Sequence, residues 1–204
     1  MYIPAIYKNE NHEEIIKFLQ KNSFGILINQ KEGNIAATHI PLELETKVNG
    51  KNYLFGHISV ENPQWNSFEN DDRVLAIFSG EHTYISPSWY EQENVPTWNY
   101  IAVHVYGNIK IIEGQEVIDS LKKLVDKYES GVENPTRIED YSKKTMLQTR
   151  GIVAFEIEIT EIQAVKKMSQ NRNDTDYKNI ISKLEKTGKN NDIEVAKTMS
   201  KCPR

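Results

Sequence analysis

The apolar residues of this chain recur with two periods, and the change between them marks out its elements. Ile15, Ile16 and Leu19 recur at helical spacing, and Asn11 followed three positions later by Glu14 reads as a capping box. One short helix ending near Asn22 is expected there. From Phe24 the period falls to two, in the runs FGILIN (24–29), NIAATHIPLEL (34–44), YLFGHIS (53–59), RVLAIFS (73–79), TYIS (83–86), TWNYIAVHVYGNIKII (97–112) and GIVAFEIEI (151–159). A weaker run, QAVKKMS, follows at 163–169. Glu32-Gly33-Asn34 and Asn49-Gly50 lie between such runs, and Asn-Gly is a strong hairpin signal. Short strands joined by hairpins predict a mainly β fold, a small antiparallel barrel.

Helical periodicity returns at 116–130 and 138–150, the second stretch closed by Gly151 as a C′ residue. Their connection, GVENPTR, is too long for a helix-turn-helix. From Asp174 the tail reads as one amphipathic helix (Tyr177, Ile180, Ile181, Leu184) and then a weaker one, with a mobile polar stretch from Lys186 to Asp192 between them. The expected organisation is a barrel domain over 1–172 and a helical tail over 173–204.

Alternation splits the 97–112 strand into two faces. Ile101, Val103, Val105, Ile109 and Ile111 form an ordinary core face. Trp98, Tyr100, Ala102, His104, Tyr106, Asn108 and Lys110 form a face both aromatic and polar, which suits a ligand pocket or a subunit interface. The 34–44 strand repeats the theme, with Ile40, Leu42 and Leu44 opposite His39 and Glu43. Tyr53, Phe55, His57 and Ser59 share a face of the next. The histidines match no metal-ligand spacing, and no carboxylate or cysteine cluster accompanies them, so no metal is expected.

Composition narrows the function. With 25 Lys and Arg against 29 Asp and Glu, the net charge of −4 argues against a protein whose main task is gripping phosphate backbones. The opening MYIPAIYKNENHEE has no signal-peptide pattern, and no apolar window is long enough to span a membrane, so a soluble cytoplasmic protein is expected. Cys202 stands alone and reads as a spectator thiol. Nucleophile-elbow, phosphate-loop and dinucleotide-binding motifs are missing.

Several segments, in order, carry a resemblance. MYIP, ATHIPLELE (37–45), GHISVENPQW (56–65), LAIFSGEHTYISPSWY (75–90), VPTWNYIAVHVYG (95–107) and KMSQNR (167–172) resemble the PaiB-like family of FMN-binding negative transcriptional regulators. The resemblance implies an antiparallel split β-barrel, a homodimer with FMN between the subunits, and repression of bacterial protease and sporulation genes. It implies a cofactor set drawn from His57, Ser59 and Asn62, from Ser79, Ser86, Ser88 and Trp89, from Thr97, Trp98 and Asn99, and from Ser169, Gln170 and Arg172. Arg172 is the cation best suited to a phosphate, since a guanidinium binds one bidentately. The family's pattern has a basic residue where this chain has Val60. That removes a charge-assisted bond worth about 1–3 kcal/mol.

Two alternatives to a regulator stand beside it. One is an FMN-dependent oxidoreductase or flavin reductase, with His57 or His104 near the flavin. The other is a flavin-free dimeric binding module. Direct DNA binding finds no support in the charge.

Overall fold

Glu32 and Gly33 both take positive φ (51° and 83°), the geometry of a two-residue hairpin turn whose twist matches the strands it joins. It connects β1 (Phe24–Lys31) to β2 (Asn34–Pro41), paired antiparallel along their whole length from Phe24 opposite Pro41 to Lys31 opposite Asn34. The computed structural model describes residues 1–69 and 72–202. Five further strands follow: β3 (Glu43–Thr46), β4 (Asn52–Ser59), β5 (Asp72–Ile85), β6 (Thr97–Ile112) and β7 (Ile152–Lys167). All seven form one sheet in the order β2-β1-β5-β6-β7-β4-β3.

The two ends of that ladder, β2 and β3, are separated in the chain by Leu42 alone. A sheet whose first and last strands are so joined has to roll until its edges meet without pairing. This is a split barrel, as the family resemblance implies. Leu42 is fully buried, and its N–H donates to the carbonyl of Ser23 at 2.8 Å.

The helices are α1 (His12–Lys21), α2 (Gln115–Glu129), the single-turn α3 (Lys143–Met146), α4 (Asp174–Lys186) and α5 (Asn190–Ser200). The Asn11 side chain caps α1, its Oδ1 accepting from the Glu14 N–H at 3.1 Å. Glu14 does not close the box; its carboxylate takes Asn9 and Lys166 instead.

Several boundaries differ from expectation. The runs 73–79 and 83–86 are one strand, as are 151–159 and 163–169, while 34–44 breaks at Leu42. The predicted helix over 138–150 is broken, with only the single turn α3 remaining α-helical. Two 3₁₀ turns, Ile138–Asp140 and Leu147–Gly151, flank α3, and Tyr141 between them is extended (φ −71°, ψ 136°). Hydroxyls explain the interruption. Ser142 Oγ accepts from the Thr145 N–H (3.1 Å), and the Thr149 hydroxyl donates to the Met146 carbonyl (2.8 Å), so side chains take up backbone groups locally. The polar stretch 186–192 shrinks to a three-residue link, because α5 starts at Asn190 and Val195, Ala196 and Met199 are fully buried.

The chain forms two compact units: residues 1–18, 78–104 and 163–204 in the first, and 19–77 and 105–162 in the second. In the first, α4 and α5 supply Tyr177, Ile180, Leu184, Val195, Ala196 and Met199 to a core completed by Ile85, Tyr90 and Met168. In the second, Leu27, Leu42, Leu54, Ile109, Phe155 and Ile157 fill the rolled sheet. There the Phe68 ring meets Phe155 edge-on at 5.5 Å. Gly107 is required at its place in this unit, since a Cβ there would lie 2.4 Å from the Glu158 carbonyl oxygen.

Candidate functional site

Strand alternation decides which β6 residues can meet a ligand. Val103, Val105 and Ile109 face inward, and so does Asn99. The opposite face is half-exposed throughout, and Trp98, 47% exposed, is its most open aromatic ring. The Trp98 ring stacks on His82 (centroids 5.9 Å apart, planes at 28°), and its Nε1–H donates to His82 Nδ1 at 3.3 Å. Tyr84, 46% exposed, meets Trp98 edge-on at 6.1 Å. Rings with apolar faces and polar tips therefore stand open on the sheet surface of the first unit.

Thr97, Asn99, Ser169, Gln170 and Arg172 of this unit lie at or near the end of β7. The half-buried Lys167 ammonium donates to Thr97 Oγ1 at 2.6 Å. Ser169 takes a positive φ of 60°, and its hydroxyl turns inward to donate to Asn99 Oδ1 at 3.0 Å. Asn99 is itself fully buried, with Nδ2 donating to Met199 Sδ at 3.5 Å. Gln170 closes the turn: Oε1 accepts from the Met168 N–H (2.6 Å), and Nε2 donates to the Lys166 carbonyl (2.5 Å). Arg172 lies over the Tyr90 ring, its Cζ 4.5 Å from the centroid. Asn99, Ser169 and Gln170 thus build the turn, while Thr97, Lys167 and Arg172 supply its hydroxyl and its charges.

Ser86 and Ser88 bond to each other (2.8 Å) in the turn after β5, and Trp89 packs on the α4–α5 core. Ser79 stands exposed on β5.

His57, Ser59 and Asn62 belong to the second unit, where β4 ends in a tight turn. Asn62 is committed at both ends of its amide: Oδ1 accepts from the Gln64 N–H (3.0 Å), and Nδ2 donates to Thr38 Oγ1 (2.9 Å). Ser59 Oγ accepts from the Glu61 N–H at 3.2 Å. Trp65 Nε1–H donates to the Val60 carbonyl at 2.8 Å, and the Val60 side chain is exposed where the family's pattern has a cation. Beneath the turn, buried Gln64 donates to the Leu27 carbonyl (3.1 Å) and Asn29 Oδ1 (2.9 Å) and accepts from the Thr38 hydroxyl.

His57 differs from its neighbours. It lines a cleft of about 200 Å³ with Leu121, Val125, Ile138, Tyr141 and Met146, among others, and has no hydrogen-bond partner among the described residues. Burial holds its imidazole below the ordinary histidine value, so it is neutral at pH 7. His104, in the first unit, is likewise held low, by burial and then by the N-terminal ammonium, and its buried Nδ1 has no hydrogen-bond partner among the described residues.

Three residues of this chemistry escaped the sequence reading: Lys167, Tyr90 and Tyr7. All lie in or beside quoted motifs, and only their packing sets them apart. The first unit fits an anionic flavin nucleotide better than the second does. It holds open aromatic rings, a lysine without a carboxylate partner among the described residues, and a stacked guanidinium. At the 59–62 turn the polar groups of Ser59 and Asn62 bond within the fold, and residues 59–62 themselves include no cation.

Residues 1–161 match the family described as "Putative FMN-binding domain". The chain is 44% identical over 200 residues to the Bacillus subtilis "Protease synthase and sporulation protein PAI 2", covering 98% of this chain and 96% of that one. Two solved structures share the fold at low identity. They are a flavocytochrome from Azotobacter vinelandii (TM-score 0.61, 14% identity, 87% of this chain and 78% of that one) and the FAD and heme binding protein from Mycobacterium smegmatis (TM-score 0.59, 13%, 79% and 73%). A match over most of the chain, with a near full-length relative beside it, makes this protein a member of the FMN-binding domain family.

Proposed function

We propose that the protein binds FMN as a homodimer and acts as a negative regulator of protease and sporulation genes in the bacterial cytoplasm. The regulatory part rests on 44% identity to the Bacillus subtilis protein along nearly the whole of both chains. The flavin part rests on family membership and, within this structure, on one observation: the open Trp98–His82–Tyr84 face on the same unit as the cationic end of β7. An isoalloxazine ring is flat, apolar across its face and polar at its edge, and the rings of this face match it. When bound, FMN would supply redox or light-absorbing chemistry. The chain's own residues would stack on it, orient it and exclude water.

Trp98 is the proposed ring contact, and Arg172 the proposed partner of the phosphate. His57 is the one member of the second group with a ring free to touch a ligand. Its cleft of about 200 Å³ is smaller than the roughly 300 Å³ at which small-molecule pockets begin. Exposed Trp98 and Tyr84, with Val95 at 68% exposure, support a second copy of the chain covering part of this face.

Regulation is proposed to act through a partner or the flavin rather than through direct grip on DNA. The lysines of α2 are bound within the fold, Lys122 to Glu139 and Asp126, Lys123 to Glu45 and Lys127 to Glu43. That leaves its charge neutralised rather than offered to phosphates.

The test is a titration of the purified chain with FMN, followed by flavin fluorescence, with riboflavin as control. Saturable quenching by FMN supports the reading, and no saturable binding of either flavin removes it. Binding to promoter DNA at low salt, where the electrostatic contribution is largest, would overturn the indirect mode.

A further inference from the structure

Lys167 is placed unlike the other partly buried lysines. Lys47 and Lys166 each rest against a carboxylate, Glu156 and Glu14 respectively. Lys167 is half-buried with no carboxylate in reach among the described residues. Its Nζ donates to Thr97 Oγ1 at 2.6 Å and lies 5.6 Å from the Tyr7 ring centroid. The charge felt beside it is of its own sign, that of Arg172. Burial first, and then this neighbour, hold the ammonium below the ordinary lysine range.

The Arg172 guanidinium covers the Tyr90 ring at 4.5 Å. Tyr90 is 9% exposed, and its buried hydroxyl has no hydrogen-bond partner among the described residues. Tyr7, half-buried, feels both groups: burial raises its phenol above the ordinary value, Arg172 lowers it and Tyr90 raises it again. Two cations, an unused phenol and the Thr97 hydroxyl are therefore held together at partly buried positions.

Such an arrangement costs free energy as it stands, because a partly buried ammonium beside another cation has neither full hydration nor a counter-charge. It becomes favourable when an anion enters. The groups on offer suit oxygen acceptors. An ammonium supplies a point charge, a guanidinium a planar fork, and hydroxyls single bonds to remaining lone pairs. Phosphate presents several acceptor oxygens and meets all three kinds of donor.

We infer that Thr97, Lys167, Arg172 and Tyr90 form a binding site for a phosphate group. The site deepens the flavin reading, which already uses Arg172 and the cationic end of β7, by adding Tyr90 and giving Lys167 and Thr97 a defined ligand group. The phosphate has two sources, the FMN side chain or a free phosphate-bearing metabolite acting as effector, and the experiment separates them.

The probe is inorganic phosphate, titrated into the full chain with lysine side chains isotopically labelled and the Lys167 signal followed by NMR. The variants are Lys167→Gln, Lys167→Arg and Tyr90→Phe. FMN and riboflavin are titrated in parallel. The expected result is saturable movement of the Lys167 signal, with its pKa rising toward the ordinary lysine value as phosphate binds. Lys167→Gln should weaken phosphate binding at least tenfold, Tyr90→Phe several-fold, and Lys167→Arg should stay within a few-fold of the parent.

If Lys167→Gln also weakens FMN about tenfold and leaves riboflavin unchanged, the phosphate is the flavin's. If FMN binding is unchanged while phosphate binding is lost, the occupant is a free phosphate compound. If neither flavin binds but phosphate does, the flavin reading fails and the site stands. Should neither phosphate nor FMN move the Lys167 signal, or should Lys167→Gln bind both like the parent, the inference is overturned.

Discussion

Asn62 and Lys167 both belong to motifs that carry the family resemblance, and the fold employs them in opposite ways. Asn62 donates to Thr38 and accepts from Gln64, so its amide holds the turn after β4. Lys167 holds nothing but a hydroxyl, and the charge it feels nearby is repulsive. Around Asn62, Gln64 spends its bonds on Leu27, Asn29 and Thr38. In the same unit as Lys167, Tyr90 keeps its buried hydroxyl unused, and Trp98 stands open on the sheet surface. A polar motif residue is available to a ligand only when the fold leaves its hydrogen bonds unspent. Tyr90 and Lys167 of the first unit keep such capacity, whereas Asn62 and Gln64 of the 59–64 turn do not.

Four substitutions sharpen or break this contrast. Gln64→Leu has the largest expected effect. It strands the Asn29 and Thr38 side chains and the Leu27 carbonyl, costing about 3 kcal/mol in chemical denaturation, with the affinity of the folded protein for FMN unchanged. Loss of FMN affinity at full stability would give the turn a binding role. Trp98→Ala should behave in reverse. Stability should stay within about 0.5 kcal/mol, while FMN binding weakens by about 1–2 kcal/mol in a fluorescence titration.

Asn62→Ala removes a side-chain cap at the turn and should cost about 1 kcal/mol of stability without altering ligand affinity. The smallest effect concerns pH. His57 and His104 are held below the ordinary value of 6.5 by burial, so the unfolded chain takes up their protons first as pH falls. Stability should therefore drop as pH is lowered through 6.5 and level off below the folded values. His57→Gln should flatten part of that drop in thermal unfolding curves. An unchanged profile would mean that His57 is not desolvated.

Much of this fold is legible in the sequence. The 97–112 run is β6 to the residue, and over 102–110 its two faces divide by burial as alternation requires, while Ile101 and Ile111 of the expected core face are only half-buried. Glu32-Gly33 and Asn49-Gly50 both fall in turns, with Gly33 and Gly50 at positive φ. What resisted reading lies beyond local pattern. The 138–150 stretch has helical spacing, but the Ser142 and Thr149 hydroxyls capture its backbone groups, and no periodicity rule sees that competition. The long strands β5 and β7 continue through polar stretches, Ser79–His82 and Thr160–Gln163, where composition suggests a break.

The candidate site was legible as motifs and not as roles. Asn99, Ser169 and Gln170 look as fit for a ligand as Thr97 and Arg172 until their internal bonds are known. Lys167 looks like one surface lysine among many, because nothing in a sequence records the absence of a nearby carboxylate.

Ligand chemistry is proposed to reside in the first unit, at Trp98 and at Thr97, Lys167 and Arg172, with the 59–64 turn structural. The most direct measurement is amide chemical-shift mapping of the labelled chain as FMN is added. The largest shifts are expected at Thr97–Asn99 and Lys167–Arg172. Shifts confined to His57–Gln64, with the β6 and β7 groups unmoved, would contradict it.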